Sequence, residues 1–180
     1  MSDTTQSFQA IYEKSSKALQ DRGMKVVIVD DQDSPFFGDL DGAAVYLGKS
    51  QSWENKLFTL IHLAAHNYQW AVNGRFAEIG SQLFYKPDEG LFRELMDYEI
   101  EAARLSIALL HELEIFHLDM WYSRYSHCDL AFLDVYYRTG QQRGLMEFWK
   151  DDVAIFQALP LPEIKGFRQR VKVQKGVVLY

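Results

Sequence analysis

The chain is poor in cysteine and proline and contains no long apolar run. Its one thiol, Cys128, cannot form a disulfide within the chain, which is typical of proteins from a reducing compartment. The apolar runs are interrupted by His, Glu or Asn before they reach the roughly 20 residues that a membrane-spanning helix needs. The opening residues MSDTTQSFQ lack the basic and apolar segments of a secretory signal. We therefore expect a cytoplasmic protein with no membrane partner.

Positive charge and phosphate-binding loops are also lacking. The net charge is −6, whereas nucleic-acid binding needs a concentration of Lys and Arg. Glycine-rich loops of the Walker or dinucleotide type do not occur. The exception in charge is the tail 163–180, where five basic residues stand against one acid. We expect this basic tail to lie on the protein's own acidic surface, with a nucleic-acid-binding arm as the alternative.

The residues that are present predict one folded domain over 1–180. Hydrophobic residues make up 48% of the chain, enough for a core of its own at this length, and the 24% of charged residues argues against extended disorder. Hydrophobic periodicity predicts an α+β fold that is rich in helices, with a small N-terminal sheet of two or three strands packed on a buried helix.

The predicted elements follow the punctuation by glycine and proline. Helices are expected over 5–21, 53–73, 91–116, from Ser123 or Ser126 to Arg138, and over 145–159. Strands are expected over 24–30 and 42–48, with a small edge strand over 36–40. The last segment, 170–180, alternates as a strand or an extended tail would.

The helix expected over 53–73 is the most informative element, because it is apolar around most of its circumference. Six of its polar residues fall within an arc of roughly 80° at 100° per residue. They are Asn55, Thr59, His62, His66, Gln69 and Asn73. Such a helix should be enclosed by other elements, with this one polar stripe facing a cleft.

Two histidines four residues apart on this stripe suggest a metal site. At that spacing, the imidazoles of His62 and His66 can share one tetrahedral cation, and a carboxylate completes a His₂Glu zinc site with one open position. The next helix offers Glu101 as the best third ligand, with Glu94 and Asp97 as substitutes. Interior histidines that hydrogen-bond within a polar core are the alternative for the pair, and a solvated acidic face is the alternative for the carboxylates.

Two segments resemble the ImmA/IrrE-type metallopeptidases. The stretch FTLIHLAAHNYQW (58–70) resembles the active-site helix of that family, whose pattern is a Phe-Thr-Leu lead followed by H-E-x-x-H. The stretch DYEIEAARLSIALL (97–110) resembles its downstream helix, in which a Glu-x-Glu-Ala element supplies the third ligand. The resemblance implies a zincin-like core over about 8–113 that binds zinc through His62, His66 and Glu101. Residues 121–180 would add C-terminal helices and the basic tail.

The chain departs from the family pattern at the catalytic position. Leu63 stands where the general-base glutamate follows the first histidine, and Ala65 replaces a glycine. A carboxylate at the first position commonly contributes about 10²- to 10⁴-fold to the rate by taking up and delivering protons. Leucine cannot do this. Either another carboxylate serves as base, with Glu99, Glu112 and Glu114 as candidates, or the fold persists without peptidase activity.

The leading hypothesis is a zinc-binding, ImmA/IrrE-like domain that is weak or inactive as a peptidase. The polar residues around the metal site would orient its ligands or a water; they are Asn55, Thr59, Gln69 and Asp97. By resemblance, its partner would be a helix-turn-helix repressor or another regulatory protein, with a role in transcription regulation. The alternatives are a metal-free protein-interaction module and a metal hydrolase with a relocated base.

Overall fold

The computed structural model describes residues 7–32, 36–82 and 84–172. Over these residues the chain has an α+β fold with five α-helices and one three-stranded sheet, which confirms the predicted class. The elements in chain order are α1 (Phe8–Asp21), β1 (Lys25–Val29), β2 (Gly38–Leu40), β3 (Ala44–Gly48), α2 (Trp53–Val72), α3 (Gly74–Gly80), α4 (Glu89–His111) and α5 (Asp119–Thr139), followed by one 3-10 turn at Leu145–Phe148.

The sheet has the strand order β1-β3-β2. The central strand β3 pairs in parallel with β1 and antiparallel with β2, so that Val45 lies between Val26 and Leu40. Val45 and Leu47 of β3 are fully buried, as expected for β-branched and aliphatic residues on a central strand. The short strand predicted near 36–40 is therefore confirmed as an edge strand, and it lies beside α2.

Helix α2 is enclosed on most of its surface, as its apolar circumference predicted. It packs against α1, α4 and the sheet, and Leu57, Leu60 and Ala64 are fully buried. Its N-terminus is capped by Ser52 Oγ, which accepts a hydrogen bond from Asn55 N at 3.1 Å. Even so, none of the described helices has the length and apolarity needed to cross a membrane.

Helix α3 was not predicted, because Gly74 indicates only the end of the helix expected over 53–73. Asn73 ends α2 with an extended backbone, at φ −127° and ψ 106°. Its side-chain oxygen then accepts hydrogen bonds from Arg75 N and Phe76 N, which makes Asn73 the N-cap of α3. One residue therefore ends one helix and starts the next.

The turn between α4 and α5 corrects two predicted boundaries. Helix α4 ends at His111 rather than near Phe116, because Glu114 adopts the left-handed conformation at φ +59°. Ile115 N then donates to Leu110 O at 3.0 Å and closes the helix end. Helix α5 accordingly starts at Asp119, earlier than the predicted Ser123 or Ser126.

The helix predicted over 145–159 is wrong beyond its first turn. Residues 149–172, which we call the strap, contain neither helix nor strand. The strap backbone is bonded to α4 and α5 instead of to itself: Leu159 N donates to Arg104 O, Phe156 N to Ser123 Oγ, and His127 Nε2 to Ala154 O. Apolar strap residues such as Phe156 pack against the core. The predicted strand or tail has no strand over 170–172, and its remainder lies outside the described residues.

The start of β3 gives a prediction about how the strap is held. Gly42 has φ +96°, and a Cβ there would lie 2.5 Å from Arg168 O of the strap. Gly23 has a similar φ of +88° but open space around it. Gly23→Ala should therefore lower the free energy of unfolding by about 1–2 kcal/mol, the cost of a left-handed alanine. Gly42→Ala should lower it further, because the strap must also move. Equal losses in urea denaturation would contradict a tight contact with the strap.

Candidate metal centre

Three ligand atoms from α2 and α4 converge at one point. His62 Nε2 lies 3.0 Å from His66 Nε2, and Glu99 Oε2 lies 3.3 and 3.2 Å from these two nitrogens. Zinc bound at about 2.0–2.1 Å would hold tetrahedral ligands roughly 3.3 Å apart. The triangle therefore has the size that one small cation fills, and this group of residues can hold a metal ion.

The site is largely buried and places a carboxylate oxygen against two ring nitrogens. The side chains of His66, His62 and Glu99 are 5%, 11% and 13% exposed. Burial alone would raise the pKa of Glu99, but the imidazoles of His66 and His62 outweigh it and hold the pKa well below its usual range. Within the described part of the chain, Glu99 Oε2 receives no well-aligned hydrogen bond. A buried carboxylate oxygen that faces two ring nitrogens is stable only with an N–H hydrogen or a metal ion between them.

Aromatic rings hold both imidazoles in position. Phe58 is stacked on His62 with ring centroids 5.6 Å apart, and Tyr98 is stacked on His66 at 4.3 Å. The Tyr98 hydroxyl in turn accepts a hydrogen bond from Trp70 Nε1 at 2.9 Å. The imidazole rings of His62 and His66 meet edge to face, and both Nε2 atoms lie near Glu99.

The structure brings Glu99, not Glu101, to the histidine pair. The two glutamates are two residues apart on α4, so their side chains point about 200° apart and only one can face the imidazoles. Glu99 lies between Leu95 and Ala102 on the buried face of the helix. Glu101 instead accepts a hydrogen bond from Gln69 Nε2 at 3.2 Å. The apolar residues of α4 indicate that Glu99 lies on the buried face of the helix, whereas the resemblance to the family pattern had indicated Glu101.

The other predicted site residues are divided between the cleft and the surface. Asn55 and Thr59 line the cleft beside the histidines, and Gln69 contacts His66 Nδ1. Asp97 is exposed and lies outside the group of converging ligands. Glu94 forms a bidentate pair with Arg75 at 2.8 Å, which lowers the pKa of the Glu94 carboxyl.

The three ligands open onto a cleft of about 870 Å³. The edge strand β2 lines the cleft, and α5 contributes Tyr125, Asp129 and Tyr137 to its lining. The end of the strap reaches the cleft at Val171 and Lys172. Leu63 also lines the cleft and packs on β2, since a Cβ at Gly38 would come within 2.9 Å of its Cδ1. A volume of this size is typical of ligand-binding clefts.

None of the three candidate bases named from the sequence is an unligated carboxylate in the lining of this cleft. Glu99 is part of the ligand triangle. Glu112 is paired with Arg22, and Glu114 is exposed in the turn after α4; neither is among the described residues that line the cleft. The other lining carboxylates are Asp39 and Asp129. Burial raises the pKa of Asp39, although a hydrogen bond from Leu40 N opposes the shift.

The chain was compared with protein-family models, with curated proteins and with solved structures. None of the three comparisons found a match. The resemblance to the ImmA/IrrE family therefore stays a prediction that depends on the two segments 58–70 and 97–110.

Proposed function

We propose that this protein is a zinc-binding, zincin-like domain related to the ImmA/IrrE metallopeptidases and that it is weak or inactive as a peptidase. The observation that carries the proposal is the triangle of His62, His66 and Glu99 at the wall of the cleft. Two imidazoles and one carboxylate are one of the ligand sets found in catalytic zinc sites, in which one position stays open.

The ligand chemistry favours zinc over the harder cations. Calcium and magnesium prefer six or more oxygen ligands, whereas imidazole nitrogen suits zinc and its neighbours in the first transition row. The triangle edges of 3.0–3.3 Å also match tetrahedral coordination. Bound there, zinc would supply a Lewis acid facing the cleft.

Weak hydrolysis follows from the residue beside the site. A peptidase needs a carboxylate that takes a proton from the attacking water and returns it to the leaving amine. Leu63 lines the cleft at the position that follows the first histidine, and its side chain has no proton acceptor. Three carboxylates were named from the sequence as possible bases. Glu99 is a candidate ligand, and Glu112 and Glu114 are not among the described residues that line the cleft.

A regulatory role through a protein segment is consistent with this combination. The edge strand β2 lines the cleft, and an extended peptide can bind to an edge strand through backbone hydrogen bonds. A cleft that binds such a segment and has Leu63 in place of the carboxylate after the first histidine would retain the segment without cleavage. We propose that the partner is a helix-turn-helix repressor or a similar regulatory protein.

The third ligand is the sharpest test of this site. Zinc affinity of metal-free protein, measured by competition with a coloured chelator, should fall severely in Glu99→Ala because one of three protein ligands is lost. Glu94→Ala is the matched control, since it removes a carboxylate from the same helix that pairs with Arg75 instead. Equal affinities for Glu99→Ala and wild type would contradict the assigned ligand set. A wild type that binds no zinc would favour the metal-free interaction module.

A further inference from the structure

The amide of Gln69 is held in one orientation next to His66. Gln69 is fully buried on α2, and its Nε2 donates to Tyr98 O at 3.0 Å and to Glu101 Oε1 at 3.2 Å. Both amide hydrogens therefore have acceptors on α4. The amide oxygen is left to face His66 Nδ1, at 2.8 Å. A flipped amide would place an NH₂ group there and lose both bonds to α4.

This orientation determines where His66 carries its proton. An amide oxygen can only accept, so Nδ1 of His66 must be the donor of the 2.8 Å hydrogen bond. In the neutral ring, Nε2 then has a free lone pair. His66 Nε2 lies 3.2 Å from Glu99 Oε2 and 3.0 Å from His62 Nε2, so its lone pair is available where the metal would bind.

We infer that Gln69, aligned by Glu101, is the positioning residue that sets the tautomer and ring orientation of His66 for metal binding. The inference rests on the proposed function for the identity of the metal, but the tautomer is a property of the metal-free protein. Metal-ligating histidines commonly donate their second ring N–H to an oriented acceptor, and losing that acceptor typically weakens metal binding by about 10- to 100-fold.

The second histidine lacks such a partner, which makes the role of Gln69 specific. Among the described residues, His62 Nδ1 is buried and has no hydrogen bond. Stacking on Phe58 orients the His62 ring but does not select its tautomer. A hydrogen bond therefore sets the tautomer of His66 but not that of His62, and Gln69 is the residue that accepts this bond.

The test compares two buried amides on the same helix. Gln69→Leu removes the acceptor for His66, whereas Asn67→Leu removes a buried amide that donates to Ala44 O and does not touch either imidazole. We expect Gln69→Leu to weaken zinc binding by about 10- to 100-fold and Asn67→Leu to leave it within a factor of about three. Nitrogen-15 NMR of the metal-free proteins should show His66 protonated at Nδ1 in wild type and Asn67→Leu, and a shift towards the other tautomer in Gln69→Leu.

Glu101→Ala keeps the inference testable if Gln69→Leu does not fold. Glu101 is only partly buried, so its loss frees the amide without leaving a buried cavity. Zinc binding should weaken measurably, though less than in Gln69→Leu, and the His66 tautomer should become mixed. Unchanged affinity and tautomer in the folded variants would overturn the inference. If wild type binds no zinc, the proposed function fails, and the NMR comparison alone decides whether Gln69 positions His66.

Discussion

Protein purified without a histidine tag should contain close to one zinc ion per chain, and His66→Ala should contain almost none. His66 supplies one of three converging ligand atoms and is the more buried of the two imidazoles. Losing one of three protein ligands weakens a tetrahedral site severely. Elemental analysis of both proteins measures the stoichiometry directly.

The control for this experiment is a histidine that belongs to another contact. His111 Nε2 lies 2.9 Å from both carboxylate oxygens of Asp119, far along α4 from Glu99. His111→Ala should therefore retain the zinc of the wild type. A wild type that stays empty after incubation with zinc would refute the zinc proposal and favour a polar core stabilised by a proton.

Zinc removal should also lower stability, because a metal that binds only the folded chain stabilises it by mass action. At a free zinc concentration about 1,000 times the Kd, the gain is about 4 kcal/mol. Thermal unfolding of the wild type should shift downward with a chelator and upward with added zinc. His66→Ala should show neither shift, which separates binding at this site from zinc attached elsewhere.

Wild-type protein should cleave peptides near the detection limit, and Leu63→Glu should raise chelator-sensitive cleavage by about 10²- to 10⁴-fold. This is the contribution expected of a positioned general base. Leu63 lies one residue after His62 and lines the same cleft, so a carboxylate there would stand at the cleft wall beside the histidines. Some loss of stability should accompany the change, because Leu63 is partly buried and packs against the core.

Two variants separate chemistry from folding in that experiment. Leu63→Gln introduces a side chain of the same length as glutamate, but its neutral amide cannot act as a base. This variant should remain inactive. Leu63→Glu/His66→Ala retains the new carboxylate but loses a metal ligand, and it should be inactive as well. Unstructured peptides and purified helix-turn-helix repressors are suitable substrates.

Robust, chelator-sensitive cleavage by the wild type would show that the inactivity proposal is wrong. Another residue would then serve as the base. The first variants to make would be Asp39→Asn and Asp129→Asn, because these carboxylates line the cleft with the histidines. Glu112 and Glu114, which the sequence suggested, lie outside the cleft lining and would be poor choices.

The sequence by itself determined the elements whose cause is local. Periodicity and the punctuation by glycine and proline predicted α1, the strands and the enclosed helix α2 with His62 and His66 on one polar stripe. These features depend on residues three or four positions apart, and such neighbours are visible in a linear chain. The sequence also showed that Leu63 stands where the ImmA/IrrE pattern has its general base, because that position is defined by the spacing of the histidines.

Only the tertiary structure decided which carboxylate meets the histidines and how the chain continues after α5. Glu99 and Glu101 both contact side chains of α2, but only Glu99 reaches the ring nitrogens, and which of the two does so depends on how α4 is rotated against α2. The strap forms no helix, although its local pattern favoured one, and parts of its backbone are hydrogen-bonded to α4 and α5 instead. In the strap, contacts between residues distant in sequence outweigh local propensity. At α4, the helical pattern shows which residues share a face, but the packing of α4 on α2 determines which carboxylate reaches the histidines.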